Sequence, residues 1–212
     1  MIKKEEKIQT LFYDYSKKYP DERIIKDGIV KEGKTTILFI LKESNTGNNV
    51  NEYSTENYTT NNCNKDFFWF KEVYNAKKSG EKYYNHKNCN RVEKAAQTKY
   101  YNCIMGIVEK LYPNNQDIGI AYININKNGG GSTSDGKGIT KWLKENSDEK
   151  KFLLDQIKEL NPSKIVIFSC NNTNKLIMKF AKEFKNKYEY ECVYGADFHP
   201  SRYSKDYELN KL

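Results

Sequence analysis

The chain reads as an α/β protein, a three-layer α/β/α sandwich around a four-stranded parallel sheet. Two observations predict this. Four apolar runs of strand length lie at 37–42, 118–125, 164–169 and 188–194, and helix-like segments separate each from the next, the alternation that leads to parallel pairing. The first run, Ile37-Leu38-Phe39-Ile40-Leu41, is apolar at every position, so that strand is expected to be covered on both faces.

In chain order, residues 4–18 carry Ile8, Leu11, Phe12 and Tyr15 among lysines at helical spacing, an amphipathic helix. Strand one follows at 37–42. Residues 44–64 are rich in Asn, Thr, Ser and Gly and read as a long surface loop. A helix is expected at 65–77, a polar connection at 78–90 and a long helix at 91–112, which Pro113 ends. Strand two is Ile118 to Ile125. Helices at 138–146 and 148–160 come next, the second stopped by Asn161-Pro162. Strand three is Lys164 to Ser169, then a helix from Thr173 to Lys187, then strand four from Tyr188 to Tyr194. At 212 residues this is one domain, 1–212, with a polar, loop-rich insertion at about 46–90.

The formal charge of +8 favours a polyanionic partner, although a composition dominated by Lys, Asn, Tyr and Ile also follows from A/T-rich coding. Met1 to Lys7 lacks the apolar core of a signal peptide, and no apolar run approaches membrane-spanning length. A soluble, cytoplasmic protein is expected. Five cysteines without a CxxC pair argue against a secreted disulfide framework. Cys170 and Cys192 sit in apolar strand contexts as buried thiols. Cys63, His86, Cys89 and Cys103 are of types that hold zinc, but their spacing is irregular, and they read as incidental to the insertion. No metal and no cofactor are expected.

Two polar clusters fall where strands end, the place at which open α/β sheets bind ligands. One is Lys42-Glu43-Ser44-Asn45-Thr46-Gly47 after strand one. The other is Phe198-His199-Pro200-Ser201-Arg202-Tyr203-Ser204 after strand four. Taken with Ala121-Tyr122-Ile123-Asn124-Ile125-Asn126-Lys127 and with Ile165-Val166-Ile167-Phe168 followed by Asn171-Asn172-Thr173, these segments resemble, in order and spacing, the motifs of the uracil-DNA glycosylase superfamily. His199-Pro200-Ser201 matches that family's final motif residue for residue.

The resemblance implies a monomeric enzyme that flips a base out of DNA and hydrolyses its N-glycosidic bond. Cleavage leaves negative charge on the base and positive charge on the sugar, so both ends need electrostatic help. By the resemblance, His199 donates to the departing base, and Glu43, or second Asn45, positions water and faces the cationic sugar. Asn124 reads the edge of the flipped base with its amide. An aromatic from Phe67-Phe68-Trp69-Phe70 stacks beneath the base, with Phe68 taken as the platform. Tyr203 is placed as a wedge in the duplex, and Lys42, Lys127, Lys137, Ser201 and Arg202 as DNA contacts. The chain departs from the pattern at Lys42, where a glycine is usual, and after Glu43, where Ser44-Asn45-Thr46 replaces a proline. That departure motivates an alternative: a catalytically inactive DNA- or nucleobase-binding protein on the same fold. A hydrolase of free nucleosides is a third reading. The family's iron–sulfur cysteine pattern is absent, so no cluster is expected.

Each residue also has a plainer role. His199 fits a turn, Glu43 and Asn45 a cap, and Asn124 a strand end bonded to its own backbone. The Phe67–Phe70 run fits a core, and Arg202 and Tyr203 an exposed loop. Gly131-Ser132-Thr133-Ser134-Asp135-Gly136-Lys137-Gly138 nearly spells a phosphate-binding P-loop, but Gly138 stands where a hydroxyl should hold magnesium. It reads instead as a flexible loop whose amides and Lys137 touch a DNA phosphate.

Overall fold

Ile37 to Leu41 are at most 1 % exposed, because helices cover the sheet they belong to from both sides. A computed structural model describes residues 4–22, 24, 26–45, 69–79, 99–113, 117–130, 137–168, 174–190, 193–196 and 210–211. The elements in chain order are α1 (Lys4–Lys18), β1 (Gly28–Lys31), β2 (Thr35–Asn45), α2 (Trp69–Ser79), α3 (Lys99–Leu111), β3 (Ile118–Gly130) and α4 (Lys137–Trp142). They continue with α5 (Asp148–Leu160), β4 (Lys164–Phe168), α6 (Asn174–Tyr188), β5 (Val193–Ala196) and β6 (Asn210–Lys211).

The described strands form one sheet in the order β1-β3-β2-β4-β5-β6. β3, β2, β4 and β5 pair in parallel. β1 and β6 pair antiparallel at the two edges. Among the described residues the sheet is therefore six-stranded and mixed: the four expected strands do pair in parallel, and the expectation of a purely parallel, four-stranded sheet is corrected by the two antiparallel edge strands. Gly-Ile-Val-Lys and Asn-Lys are too short to show a two-residue periodicity. The unpaired backbone groups of β3 and β5 pair with these strands.

Local signals account for the helices. α1 has Glu5 and Glu6 in its first turn and Lys17 and Lys18 in its last, complementing the helix dipole. Its Ile8, Phe12 and Tyr15 face inward. Ser147 caps α5 by accepting the Lys150 amide at 3.1 Å, and Asn161, left-handed at φ 44°, closes it.

α2 and α3 cover one face, packing Phe70, Cys103, Ile104 and Ile107 against Phe39, Leu41 and Tyr122. α1, α4, α5 and α6 cover the other, with Phe12, Trp142, Leu153 and Ile177 against Leu38, Ile40 and Ile123. The face changes because the path reverses: after β3 the chain crosses β2 to reach β4, and a connection of constant hand must then use the opposite side. A reversal of this kind, here between β2 and β4, is where open α/β sheets bind ligands at their carboxyl edge.

Several boundaries differ from the sequence reading. β2 and β3 outlast their apolar runs, so the backbones of Ser44 and Asn45 lie in a strand rather than a loop. β5 begins at Val193, because α6 continues to Tyr188 and Glu189 takes a left-handed φ of 52°. Tyr190 stacks on Phe184 at 5.1 Å and so belongs to the helix end.

Gly138 explains the near-P-loop. A Cβ there would lie 2.2 Å from Asn126 Nδ2 and 2.6 Å from its Cγ, so the glycine admits the Asn126 amide rather than serving a nucleotide. Asn126 is buried and its Oδ1 accepts the Asn128 amide at 3.1 Å, which resists displacement. Gly138→Ala is expected to lower stability to urea by about 1–2 kcal/mol. In an Asn126→Ala background the same change should be neutral or stabilising, since alanine favours the helix. Equal losses in both backgrounds would contradict the contact.

Candidate functional site

The parallel register of β2 and β3 sets the candidate site. Leu41 lies beside Asn124, Glu43 beside Asn126 and Asn45 beside Gly130, with an irregularity between the last two pairs. The backbone carrying Lys42, Glu43 and Asn45 thus runs along the Asn124–Gly130 segment at the carboxyl edge of the sheet. Two of the expected site segments meet there.

Asn124 is only 2 % exposed. Its Oδ1 receives a long, 3.5 Å contact from the Tyr122 hydroxyl. The Tyr122 ring stacks on Phe70, with centroids 5.3 Å apart and planes 13° from parallel. Phe70 is fully buried, so of the four-aromatic run this member is core. Lys137, the first residue of α4, is exposed. Phe68, His199, Ser201, Arg202 and Tyr203 lie outside the described residues.

Lys127 is a correction. Rather than facing DNA, it is wholly buried, and its Nζ donates to both carboxylate oxygens of Asp27 at 2.6 and 2.7 Å. Desolvation cannot be recovered by a phosphate outside, so this lysine makes no backbone contact with a nucleic acid. Asp27 also accepts the Asn124 amide N–H at 2.6 Å and Gln156 Nε2 at 2.8 Å. The carboxylate therefore joins the residue before β1, the end of β3 and the middle of α5. Gly28, at φ +144°, makes the turn beside it in a conformation that side-chain-bearing residues rarely adopt. Sequence reasoning passed over Asp27, because its partners stand 97 to 129 positions away and Asp-Gly reads as an ordinary turn.

Burial dominates the titration of this pair. It pushes the Asp27 carboxyl up, against the pull of Lys127 and the other donors, and it brings the Lys127 ammonium down to about 8. A second network holds the exit of β3. Trp142 Nε1 donates to Asn128 Oδ1 at 2.7 Å, and Asn128 Nδ2 to Glu22 at 3.3 Å. Lys141 pairs with the other Glu22 oxygen at 2.7 Å.

Cys103 sits in the apolar layer between α3 and the sheet, fully buried. Burial pushes its thiol up to about 12, the reverse of what a thiolate ligand needs. Cys63, His86 and Cys89 lie outside the described residues. Among the described residues no helix is long and apolar enough to cross a membrane. Comparison with protein-family models, curated proteins and solved structures found no match.

Lys127→Ala strands a buried carboxylate and is expected to cost about 3–5 kcal/mol in urea unfolding, whereas Asp27→Leu with Lys127→Met should recover most of that loss. A loss under about 1 kcal/mol for the single change would contradict burial of the pair. The pH dependence has a definite sign. Between about pH 8 and the ordinary lysine value of 10.5, the unfolded chain holds a proton that folded Lys127 releases. Stability therefore rises with pH from 8 to 9 and Lys127→Met flattens that rise. Cys103 opposes part of this rise from about pH 8 upward, since the folded thiol keeps a proton that the unfolded chain, with its ordinary value of 9.0, begins to lose there. A stability difference between the wild type and Lys127→Met that does not shift in favour of the wild type from pH 8 to 9 would contradict the direction assigned to Lys127.

Proposed function

We propose that the protein is a DNA N-glycosylase: a hydrolase that extrudes a uracil-like or modified base and cleaves its N-glycosidic bond. The observation that supports this reading is the register that sets Leu41 beside Asn124 and Glu43 beside Asn126 at the carboxyl edge of the sheet, one strand from the point between β2 and β4 where the strand order reverses. An acid-bearing segment and a buried amide converge on one edge, as base excision requires.

In this reading Asn124 offers a donor and an acceptor to the edge of the base. Glu43 holds the attacking water and faces the positive charge that grows on the sugar, with Asn45 as the second candidate. His199 donates to the base oxygen that gains negative charge, which lowers the barrier to departure. Phe68 supplies the platform under the base. Lys42, Lys137, Ser201 and Arg202 hold phosphates, and Tyr203 fills the gap in the duplex.

The burial of Lys127 subtracts one phosphate contact from the expected set and favours a second reading, a hydrolase of free nucleosides. Salt separates the two, since only the DNA enzyme weakens steeply as salt rises.

Incubation with an oligonucleotide containing uracil or a modified base should give alkali-labile abasic sites. Glu43→Gln or His199→Ala should lower single-turnover excision by roughly two to four orders of magnitude while largely sparing Kd. No product across several modified bases and free nucleosides would rule out catalysis, and an unchanged Kd for Glu43→Gln without turnover would leave a binding protein.

A further inference from the structure

We propose that the outer face of α6 is a track for the phosphates of a DNA strand leading to the carboxyl edge of the sheet, carried by Lys175, Lys179 and Lys182. This rests on the DNA reading above and extends it to a surface that reading does not use. The three lysines line an open, shallow depression of about 660 Å³ together with Met178, Glu145 and Glu183. All three are exposed, and among the described residues none of them holds an ion pair.

The acids in the depression are already engaged. Lys150, whose side chain is only 6 % exposed, bonds Glu145 at 2.9 Å and both oxygens of Glu183 at 2.9 and 2.8 Å. Glu183 is the one acid in α6, against five lysines. Lys150 offsets part of their charge, and although the exposed Glu145 also feels Lys179, three outer lysines against two glutamates leave the depression net positive.

Helix stability does not explain the stripe. α6 has no acid in its first turn, as is also true of α3 and α4, and places Lys175 at its second position, while Lys185 and Lys187 in its last turn suit the dipole. Lysines spaced i, i+4 and i+7 also repel one another along the helix. The mutual repulsion of the three lysines is relieved by a bound polyanion. The spacing suits one, since seven residues of helix span about 10 Å, enough to meet two or three successive phosphates of a strand.

Topology connects the stripe to the site. β4 runs parallel to β2, and α6 is the next described element after it, so α6 starts at the carboxyl edge where Asn124 lies. A strand entering at Lys182 and passing Lys179 and Lys175 arrives at that edge.

The test measures binding alone, on a fluorescein-labelled duplex with no damaged base, by anisotropy between about 50 and 200 mM salt. Changing Lys175, Lys179 and Lys182 together to Gln should weaken binding about tenfold or more and flatten the slope of log Kd against log salt by about 2–3. The same three positions as Arg should keep the wild-type slope. A control losing equal charge elsewhere, Lys34→Gln with Lys77→Gln and Lys158→Gln, should change the slope by less than about one. Thermal melts matching wild type establish that the Gln variant is folded, and the Arg variant carries the test if it is not. An unchanged slope in the Gln variant, or an equal loss in the control, overturns the track. So does binding to phosphatidylserine vesicles through the same lysines with DNA binding intact. Because no base is excised in this assay, a protein without glycosylase activity that still loses its salt slope only through α6 keeps the track and loses the enzyme reading.

Discussion

The Asp27 carboxylate is the constraint on which the functional edge depends. Buried without solvent, it must be satisfied by donors, and it takes them from Lys127, Gln156 and the amide of Asn124. These belong to a strand and a helix far apart along the chain. A slip of β3 by one residue would exchange its two faces, carrying Lys127 away from Asp27. The ion pair therefore specifies the register that sets Glu43 beside Asn126 and Leu41 beside Asn124. Stability and the geometry of the candidate site share one origin.

Much of the fold was legible because its central strands carry uninterrupted apolar runs and some of its helices carry terminal signals. Ile37–Leu41 and Ile165–Phe168 announce strands buried on both faces, and α1 and α5 announce their ends with acids, lysines and Ser147. Legibility failed where structure comes from a neighbour rather than from local pattern. β1 and β6 are strands because β3 and β5 have free edges. The extension of β2 through Asn45 follows from β3 continuing alongside it, in residues that by composition belong to a loop.

The candidate site divides in the same way. That the Glu43 and Asn124 backbones share an edge follows from β2 and β3 being parallel neighbours, and parallel pairing is what the alternation of strands and helices anticipates. That Lys127 faces inward does not follow, since a lysine after a strand ordinarily reaches solvent and its acid lies a hundred residues earlier. The lysines show why net charge alone identifies no surface. Lys127 is consumed by Asp27 and Lys150 by two glutamates, while Lys175, Lys179 and Lys182 project their charge outward from one helix. Position, not number, decides which of them a polyanion can feel.

The central claim is that the Asn124 backbone is locked by a buried carboxylate, and native-state hydrogen exchange reads it at one amide. The Asn124 N–H, 2.6 Å from Asp27 Oδ2, should exchange only through global unfolding, with an opening free energy equal to that from urea melts. Exchange of that amide through local fraying, at an opening free energy well below the global value, would contradict the account.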